Sequence, residues 1–338
     1  MSAAEPRIVV LVPCLNEEAA IGKVVTDFRA ALPTATVYVY DNNSTDKTAA
    51  VATAAGAIVR RERRPGKGNV VRRMFQDIEA DIYVMTDGDD TYDAASARKL
   101  VDAMITDNLD MVVGKRIETH QDAYRAGHRL GNAVLTGLVR KLFGSQIDDM
   151  LSGYRVFSRR FAKSFPSSSR EFEIETELTV HAMQMRMAIT EIDTPYKERP
   201  PGSFSKLRTF RDGWRILVTI MNLMRNERPL MFFSGLGLLM LLVAIGLAIP
   251  LFIQYSRSGD VPRFPTAILS TGIALVGMIS ITTGLILDLV SHVRREVKRL
   301  AYLQHVAPGE RQLLAAAVAP KLVTPGEALA GAHDDAHA

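Results

Sequence analysis

Strand-like and helix-like patterns of apolar residues alternate along the first two hundred residues of the chain. Short apolar runs, such as Ile8–Val12 and Ile82–Thr86, are typical of buried strands. This rhythm predicts an α/β domain in which helices cover a mostly parallel sheet. Asn16 is predicted to cap the first helix, and residues 110–113 are predicted to form a later strand. The apolar face of that first helix recurs at helical spacing, at Ile21, Val24, Val25, Phe28 and Leu32.

Two long apolar runs dominate the second half of the chain. Leu230–Tyr255 has 26 residues without a charged side chain, and Phe264–Leu287 has 24. About 20 apolar residues span a bilayer core, so the runs predict a transmembrane helical hairpin with a short link. A hairpin buried in a large soluble domain is the alternative. Basic residues flank the outer ends of the hairpin, which by the positive-inside rule places both ends and the α/β domain in the cytoplasm. They are Arg225, Arg228, Arg294, Arg295, Lys298 and Arg299.

The segment between the two halves has an apolar stripe and a basic side. Such a pattern predicts an amphipathic helix over residues 209–228 that lies in the plane of the membrane interface. An amphipathic helix that packs against the rest of the protein is the alternative. We therefore divide the chain into an α/β domain (1–208), an interfacial helix (209–228), two membrane helices (229–290) and a basic helix with a poorly ordered tail (291–338).

Composition excludes several classes of protein. The formal net charge of +4 over 338 residues is too small to indicate nucleic-acid binding. The single cysteine, Cys14, excludes an internal disulfide and a cysteine-based metal site, and we expect it to be a small buried residue. The first apolar run is short and leads through Pro13 into polar residues, so we expect no secretory signal peptide.

An acidic pair, Asp87 and Asp89, directly follows the predicted strand Ile82–Thr86. In open α/β sheets, ligands bind beyond the carboxyl ends of the strands. Two close carboxylates without a basic neighbour repel each other unless a cation lies between them. Mg²⁺ prefers one or two carboxylates together with phosphate oxygens, so the pair predicts a metal–diphosphate site. A solvated acidic turn is the alternative, because Asp and Gly are common in turns.

Three further segments fit a nucleotide-sugar site. Residues 12–17 and 41–46 each bring a carboxylate to the end of a predicted strand, where it could accept hydrogen bonds from a base or a ribose. Residues 66–68, Gly-Lys-Gly, supply a bendable loop with one cation, although a surface turn would have the same sequence. Neither a P-loop nor a dinucleotide-binding fingerprint is present, because their spacings are missing.

Together these segments resemble glycosyltransferase family 2, the inverting enzymes of the Rossmann-like GT-A fold. Residues 12–17 resemble the opening motif of that family, and residues 41–48 resemble its Asp-Asp-Gly-Ser-x-Asp-x-Thr element, with Asn42 in place of the second Asp. Asp87-Gly88-Asp89 matches its Asp-x-Asp metal motif. The resemblance covers residues 7 to about 208.

A narrower resemblance is to the polyisoprenyl-phosphate glycosyltransferases, the dolichol-phosphate mannose synthase and GtrB-like group. Residues 149–155 resemble their Asp-x-x-Ser-Gly-Phe-Arg segment, and residues 199–206 resemble their Arg-x-x-Gly-x-Ser-Lys loop with one extra residue before Ser205. The Gln-x-x-Arg-Trp motif of processive polysaccharide synthases is missing from the sequence.

The resemblance implies a role for each matching residue. It implies a divalent metal, Mg²⁺ or Mn²⁺, on Asp87 and Asp89, with Asp89 and Asp149 as catalytic residues. Asp149 would be the base, although a larger role in orienting Arg155 or the donor sugar is our own inference. Donor-binding residues would be Pro13, Leu15, Glu17, Asp41, Asn43, Lys67, Asp87 and Gly88. Acceptor-phosphate-binding residues would be Arg155, Arg199, Ser205 and Lys206.

The implied function is transfer of one sugar from a nucleotide-sugar donor to polyprenyl phosphate at the cytoplasmic face of a membrane. A membrane-anchored transferase for a glycan or another lipid is one alternative. A membrane scaffold with a degenerate transferase domain is the other, and the intact acidic pair disfavours it. A homo-oligomer is possible. The sequence leaves the donor sugar, its base and the choice of metal open.

Overall fold

A seven-stranded sheet with helices on both faces is followed by a hairpin of two long apolar helices in the computed structural model of the chain. The residues described are 5–118, 137, 147–166, 174–197, 218, 221–222, 224–226, 228–261 and 263–310. The strands are β1 (Ile8–Cys14), β2 (Thr36–Asp41), β3 (Ile58–Arg61), β4 (Ile82–Met85), β5 (Met111–Glu118), β6 (Arg155–Ser158) and β7 (Ile189–Tyr196). The helices are α1 (Ile21–Ala31), α2 (Thr48–Ala54), α3 (Lys67–Asp77), α4 (Ser96–Thr106), α5 (Arg159–Ser164), α6 (Ile174–Gln184), α7 (Pro229–Ser258) and α8 (Phe264–Leu303).

The strand order is β3-β2-β1-β4-β6-β5-β7. Strand β6 runs antiparallel to its neighbours β4 and β5, and the other pairings among the described strands are parallel. The predicted α/β fold with a mostly parallel sheet is therefore confirmed. The antiparallel strand β6 was not predicted, because its four residues are too few to show a periodic pattern.

Each face of the sheet has its own hydrophobic core. Alternate residues of β1 supply both, because successive side chains of a strand point to opposite faces. Val9 and Leu11 pack with residues of α3, α5 and α6, whereas Val10 and Val12 pack with α1 and α4. The strands that end at the carboxyl edge are thus fixed on both sides, which gives the residues beyond them a rigid base.

Two local predictions need correction. Ala20, rather than Asn16, precedes α1, and Asn16 instead has a left-handed backbone with φ 53°. The Asn16 side chain connects the loop after β1 to the loop after β2. Strand β5 is Met111–Glu118, longer than the predicted segment 110–113. The segment 209–228, predicted as an interfacial helix, lies mostly outside the described residues.

Helices α7 and α8 form the predicted hairpin. Small residues allow a close crossing: a Cβ added at Gly237 would lie 2.6 Å from the carbonyl oxygen of Gly277. Close by, the hydroxyl of Ser280 donates to the carbonyl oxygen of Phe233 at 2.9 Å. The outward apolar side chains are exposed, with Phe252 at 77%. An apolar surface of this extent is unfavourable in water, so the two helices indicate membrane anchoring rather than a buried soluble hairpin.

Candidate functional site

The carboxyl ends of β1, β2 and β4 meet at one edge of the sheet. Strand β1 pairs in parallel with both β2 and β4, so the carboxyl ends of all three strands lie at the same edge of the sheet. Pro13 is paired with Tyr40 near the end of this register, and Leu15 follows β1 directly. Asp41 ends β2, and Asp87 follows two residues after β4. The candidate donor residues predicted from the sequence therefore share one edge.

Hydrogen bonds join the loop after β1 to the loop after β2. The backbone N–H of Asn16 donates to the hydroxyl of Ser44 at 3.0 Å, and the N–H of Thr45 donates back to the Asn16 side-chain oxygen at 2.8 Å. The N–H of Glu17 donates to the Thr48 hydroxyl at 2.8 Å. These bonds hold the two loops in a fixed relation, so a ligand would meet a preformed surface.

Asp41 and Asn43 stabilise the loop after β2 in different ways. An Asp41 carboxylate oxygen accepts the backbone N–H of Ser44 at 3.1 Å, which stabilises the turn after β2. Asn43 has a left-handed backbone with φ 67°, and its amide donates to the carbonyl oxygen of Arg63 at 3.0 Å. Asp41 is buried. Part of its acceptor capacity is therefore used within the loop.

Asn42, the departure from the family motif, fastens the loop that leads to Lys67. Its amide donates to the carbonyl oxygens of Glu62 at 3.0 Å and Arg64 at 2.8 Å. Its side-chain oxygen accepts the N–H of Gly66 at 2.7 Å. A carboxylate could not donate the first two bonds. Asn at this position therefore fits the local structure better than the Asp of the motif.

Lys67 lies between two carboxylates at the edge of the sheet. Its ammonium is 2.5 Å from an oxygen of Asp87 and 2.6 Å from an oxygen of Glu175. Burial would lower the pKa of Lys67, but the charges of Asp87 and Glu175 outweigh burial and raise it. The premise that the acidic pair has no basic neighbour is therefore wrong. Lys67 was predicted as a donor-binding residue, but its contact with Asp87 was not.

The two members of the acidic pair have different surroundings. Asp87 is partly exposed, whereas Asp89 is buried and accepts the hydroxyl of Thr91 at 2.6 Å. Between them, a Cβ added at Gly88 would lie 2.5 Å from the sulfur of Cys14. Gly88 therefore allows the turn after β4 to pack directly on β1. Cys14 is buried, as predicted. The pKa of its thiol is raised, mainly by burial and then by the charges of nearby carboxylates.

Gly153 brings the chain before β6 against the acidic pair. A Cβ added there would lie 2.6 Å from a carboxylate oxygen of Asp87. The N–H of Gly153 donates to the Tyr92 hydroxyl at 2.8 Å, and burial raises the pKa of Tyr92. The Ser-Gly-Tyr-Arg segment thus contributes close backbone packing to this site.

Asp149 forms a two-pronged ion pair with Arg116. The guanidinium donates to both carboxylate oxygens at 2.7 Å. The carboxylate of Glu191 accepts the backbone N–H groups of Asp148 and Asp149, each at 2.8 Å. Burial raises the pKa of Glu191. Asp149 is therefore held in a charged cluster, and its partner is Arg116 instead of the predicted Arg155.

Arg155 needs correction from a phosphate-binding residue to a structural one. The side chain is fully buried. Its guanidinium donates to the carbonyl oxygens of Ser152 at 2.9 Å and of Met150, and to the hydroxyl of Thr179 at 2.8 Å. These bonds tie the Asp149–Arg155 segment to α6. No guanidinium surface is left for a phosphate in this arrangement.

The remaining predicted acceptor residues, Arg199, Ser205 and Lys206, lie outside the described residues. Among the residues that are described, no group of three or more His, Cys, Asp or Glu side chains could hold a metal ion. The carboxylate oxygens of Asp87 and Asp89 nevertheless suit a hard divalent cation that takes its other ligands from phosphate and water. The chemistry of the pair thus fits a metal that arrives together with a diphosphate.

Sequence comparisons identify the family. The profile described as Glycosyl transferase family 2 matches residues 9–165. Glycosyltransferase AglJ of Haloferax volcanii is 33% identical over 303 residues, which cover 88% of this chain and 98% of AglJ. The chain belongs to glycosyl transferase family 2. As a member of this family it is a glycosyltransferase, and the acidic edge of its sheet is the candidate active site.

One further relative and one crystal structure of similar fold add detail to the comparison. A dolichyl-phosphate hexose transferase of Haloferax volcanii is 28% identical over 221 residues, covering 65% of this chain and 95% of that protein. Glucosyl-3-phosphoglycerate synthase from Mycobacterium tuberculosis has the same fold, with a TM-score of 0.53 and 24% identity. The alignment covers 65% of this chain and 80% of the synthase chain. That crystal structure contains Mn²⁺, UDP-glucose and phosphoglyceric acid.

Sequence reasoning missed two residues of this site in the glycosyltransferase. Glu175 lies in the first turn of α6, and none of the motifs described above includes it. Arg116 lies at the end of a strand, as the other candidate residues do, and that position was the available signal. Both contacts join segments far apart in the sequence, so only the fold reveals them.

Proposed function

We propose that this glycosyltransferase moves a single hexose from a nucleoside-diphosphate sugar to polyprenyl phosphate, with inversion at the anomeric carbon. The observation that carries the proposal is the combination, in one chain, of an acidic pair beside Lys67 and an exposed apolar hairpin of membrane length. A soluble sugar donor needs the first, and an acceptor with a lipid tail explains the second. The relative named dolichyl-phosphate hexose transferase supports the same acceptor class.

The donor would bind across the loops that follow β1, β2 and β4. The hydrogen bonds between these loops support the proposal, because a preformed surface costs less ordering on binding. Lys67 would supply a positive charge for the diphosphate, since its raised pKa keeps it protonated at neutral pH. The other proposed donor-binding residues are Pro13, Leu15, Glu17, Asp41, Asn43, Asp87 and Gly88.

A divalent cation, Mg²⁺ or Mn²⁺, would be held by Asp87 and Asp89. When bound, it would stabilise the negative charge of the departing nucleoside diphosphate. Because Lys67 forms an ion pair with Asp87, its ammonium would lie close to the bound cation and its phosphate ligands. Asp87 would therefore be oriented before any donor arrives by Lys67, which also forms an ion pair with Glu175.

The acceptor phosphate needs little activation. The second pKa of a phosphate monoester is about 6, so the attacking oxygen is largely ionised at neutral pH. Asp149 would consequently orient groups in the site more than it accepts a proton, and its ion pair with Arg116 supports this assignment. Arg116 is a candidate for the cation that faces the acceptor. Arg199, Ser205 and Lys206 remain proposed phosphate-binding residues, because Arg can grip phosphate with two bonds and Lys acts as a point charge.

The hairpin would hold the enzyme in the plasma (inner) membrane with both chain ends and the catalytic domain in the cytoplasm. The basic residues at the outer ends of the hairpin support this orientation through the positive-inside rule. The catalytic domain would span residues 1–208 and the interfacial helix residues 209–228. The membrane helices would span residues 229–290 and the cytoplasmic tail residues 291–338.

The test is a transfer assay with the full chain in liposomes. Labelled nucleotide sugars, uridine- and guanosine-linked, are supplied one at a time with polyprenyl phosphate, with and without EDTA. We expect one donor to give a labelled lipid, and EDTA to abolish the labelling. Absence of transfer from every donor, with donor hydrolysis excluded, would overturn the proposal. Transfer to a glycan or another lipid instead would favour the alternative acceptor.

A further inference from the structure

Helix α8 continues well past its apolar run. The run ends at Leu287, and Asp288 is the first charged residue after it. The helix itself ends only at Leu303. At 1.5 Å per residue, the segment 288–303 extends the helix by about 24 Å. This extension reaches the α/β domain, so the hairpin and the sheet are in direct contact.

The extension ends in a hydrogen bond to a buried carboxylate. The Tyr302 hydroxyl donates to Asp110 at 2.9 Å, and the Arg160 guanidinium carbon lies 4.8 Å from the centre of the Tyr302 ring. Arg160 also forms an ion pair with Asp110. Asp110 is fully buried and further accepts the Ser158 hydroxyl at 3.0 Å and the N–H of Ala188 at 3.3 Å. One donor of this buried carboxylate thus comes from the membrane helix.

Two further contacts flank Tyr302. The Lys298 ammonium donates to the side-chain oxygen of Gln184 at 3.3 Å. The N–H of Gly309 donates to the side-chain oxygen of Asn108 at 3.0 Å. The last turns of α8 and the residues just after it are therefore attached to the α/β domain at several points. The attachment is distinct from the covalent connection that enters the hairpin before α7.

The attachment lies at the sheet edge opposite the acidic pair. In the register of β4, β5 and β6, Met111 and Tyr83 both pair with Phe157. Asp110 is therefore level with the start of β4, whereas Asp87 lies beyond its end. At about 3.3 Å per residue the two are roughly 17 Å apart along the strands. Tyr302 cannot touch a substrate at the acidic pair, so any effect on the reaction must act through position.

We propose that Tyr302 is a positioning residue, through which the end of α8 fixes the orientation of the catalytic domain relative to the membrane. This inference rests on the proposed function, because orientation matters only when the acceptor is held in the membrane. A domain with one attachment can rotate about it, and a second attachment removes that freedom. The benefit appears as a higher effective concentration of the acceptor phosphate at the acidic pair.

The test compares two acceptors for the same enzyme. Full-length Tyr302→Phe is reconstituted in liposomes and assayed with a long-chain polyprenyl phosphate and with a short-chain, water-soluble prenyl phosphate. We expect KM for the embedded acceptor to rise about tenfold, equivalent to about 1.4 kcal/mol. KM for the donor and kcat/KM for the soluble acceptor should stay within about twofold. Tyr255→Phe is the matched control, because Tyr255 is 55% exposed at the far end of α7.

A second variant separates orientation from the stability of the contact itself. A four-residue Gly-Ser insertion after Glu296 interrupts α8 but leaves Tyr302 and Asp110 intact. We expect the same selective loss with the embedded acceptor, while the same insertion after Gly259, in the link of the hairpin, has little effect. This variant also keeps the test decisive if Tyr302→Phe lowers the melting temperature.

The outcomes distinguish the inference from the function on which it rests. Equal losses with both acceptors would mean that Tyr302 only stabilises the fold, and unchanged kinetics in both variants would show that orientation is not limiting. Either result overturns the inference and leaves the proposed function intact. A wild-type enzyme that transfers sugar to neither prenyl phosphate would overturn both.

Discussion

Asp89 and Asp149 differ in how much chemistry each is expected to support. Removing a general base typically costs about 10² to 10⁴ in rate, but an ionised phosphate acceptor needs little proton removal. Since Asp149 is paired with Arg116 at 2.7 Å, we expect Asp149→Asn to lower kcat by about 10² or less. Asp89→Asn should lose nearly all turnover, because it weakens the proposed metal site. Steady-state kinetics on folded variants measures both, and an equal, complete loss would contradict the distinction.

Gly88 tests how tightly the turn after β4 packs on β1. A Cβ at Gly88 would lie 2.5 Å from the Cys14 sulfur, which real structures do not tolerate. Overpacking of this kind typically costs about 1–3 kcal/mol. We expect Gly88→Ala to weaken donor binding and lower the melting temperature.

The rescue variant makes this prediction specific. Cys14→Ala removes the sulfur, so the double variant Cys14→Ala/Gly88→Ala should bind the donor nearly as well as Cys14→Ala alone. Calorimetric titration with the nucleotide sugar measures the effect. A double variant no better than Gly88→Ala would show that the steric argument is wrong.

The loop from Glu62 to Gly66 is the element that positions Lys67, and Asn42 holds it. Asn42→Asp would place a carboxylate against the carbonyl oxygens of Glu62 and Arg64, which now accept its N–H groups at 3.0 and 2.8 Å. An unsatisfied buried group costs about 1–3 kcal/mol. We expect a roughly tenfold weaker donor Kd and faster amide hydrogen exchange in residues 62–66.

A matched control separates this effect from added charge. Gln76→Glu introduces the same negative charge on the exposed side of the adjacent helix α3 and should leave the donor Kd unchanged. If Asn42→Asp and Gln76→Glu weaken donor binding equally, the loss of affinity is electrostatic, and the proposed role of Asn42 in holding the loop is wrong.

At this scale the sequence predicts regular elements well and contacts poorly. The helices and parallel strands follow from apolar periodicity, and the acidic edge follows from residues at strand ends. Strand β6 was not predicted, because four residues are too few to show a periodic pattern of apolar side chains. The contacts of Lys67 with Glu175 and of Asp149 with Arg116 were not predicted, because each joins segments that are far apart in the sequence. Arg155 looks like a phosphate ligand in its motif, yet its burial makes it structural.

The whole molecule joins an α/β domain to an apolar hairpin, and His181 lies near the place where the two meet. It is buried, with its ring centre 5.3 Å from those of Phe161 and Phe165 and a ring nitrogen 3.3 Å from the Ser164 hydroxyl. Burial, and then the charge of Lys298 on α8, lowers the pKa of His181 to about 3. His181 is therefore neutral in the folded protein at neutral pH, which suits its packing against Phe161 and Phe165.

This neutral state makes stability fall in acid. The ordinary pKa of His is about 6.5, so between roughly pH 6.5 and pH 3 the unfolded chain binds a proton that the folded chain does not. Stability is fully present above pH 6.5 and declines below it, by up to about 1.4 kcal/mol per pH unit from this group. His181→Phe should be less stable at pH 7.5, because it loses the Ser164 contact, yet should lose less stability between pH 7.5 and pH 5.

Thermal unfolding in detergent at the two pH values measures this difference. His292→Gln, at an exposed position on α8, is the control and should follow the wild type at both. If His181→Phe and the wild type lose the same amount of stability on acidification, His181 is not the titrating group, and the acid sensitivity of the molecule lies elsewhere.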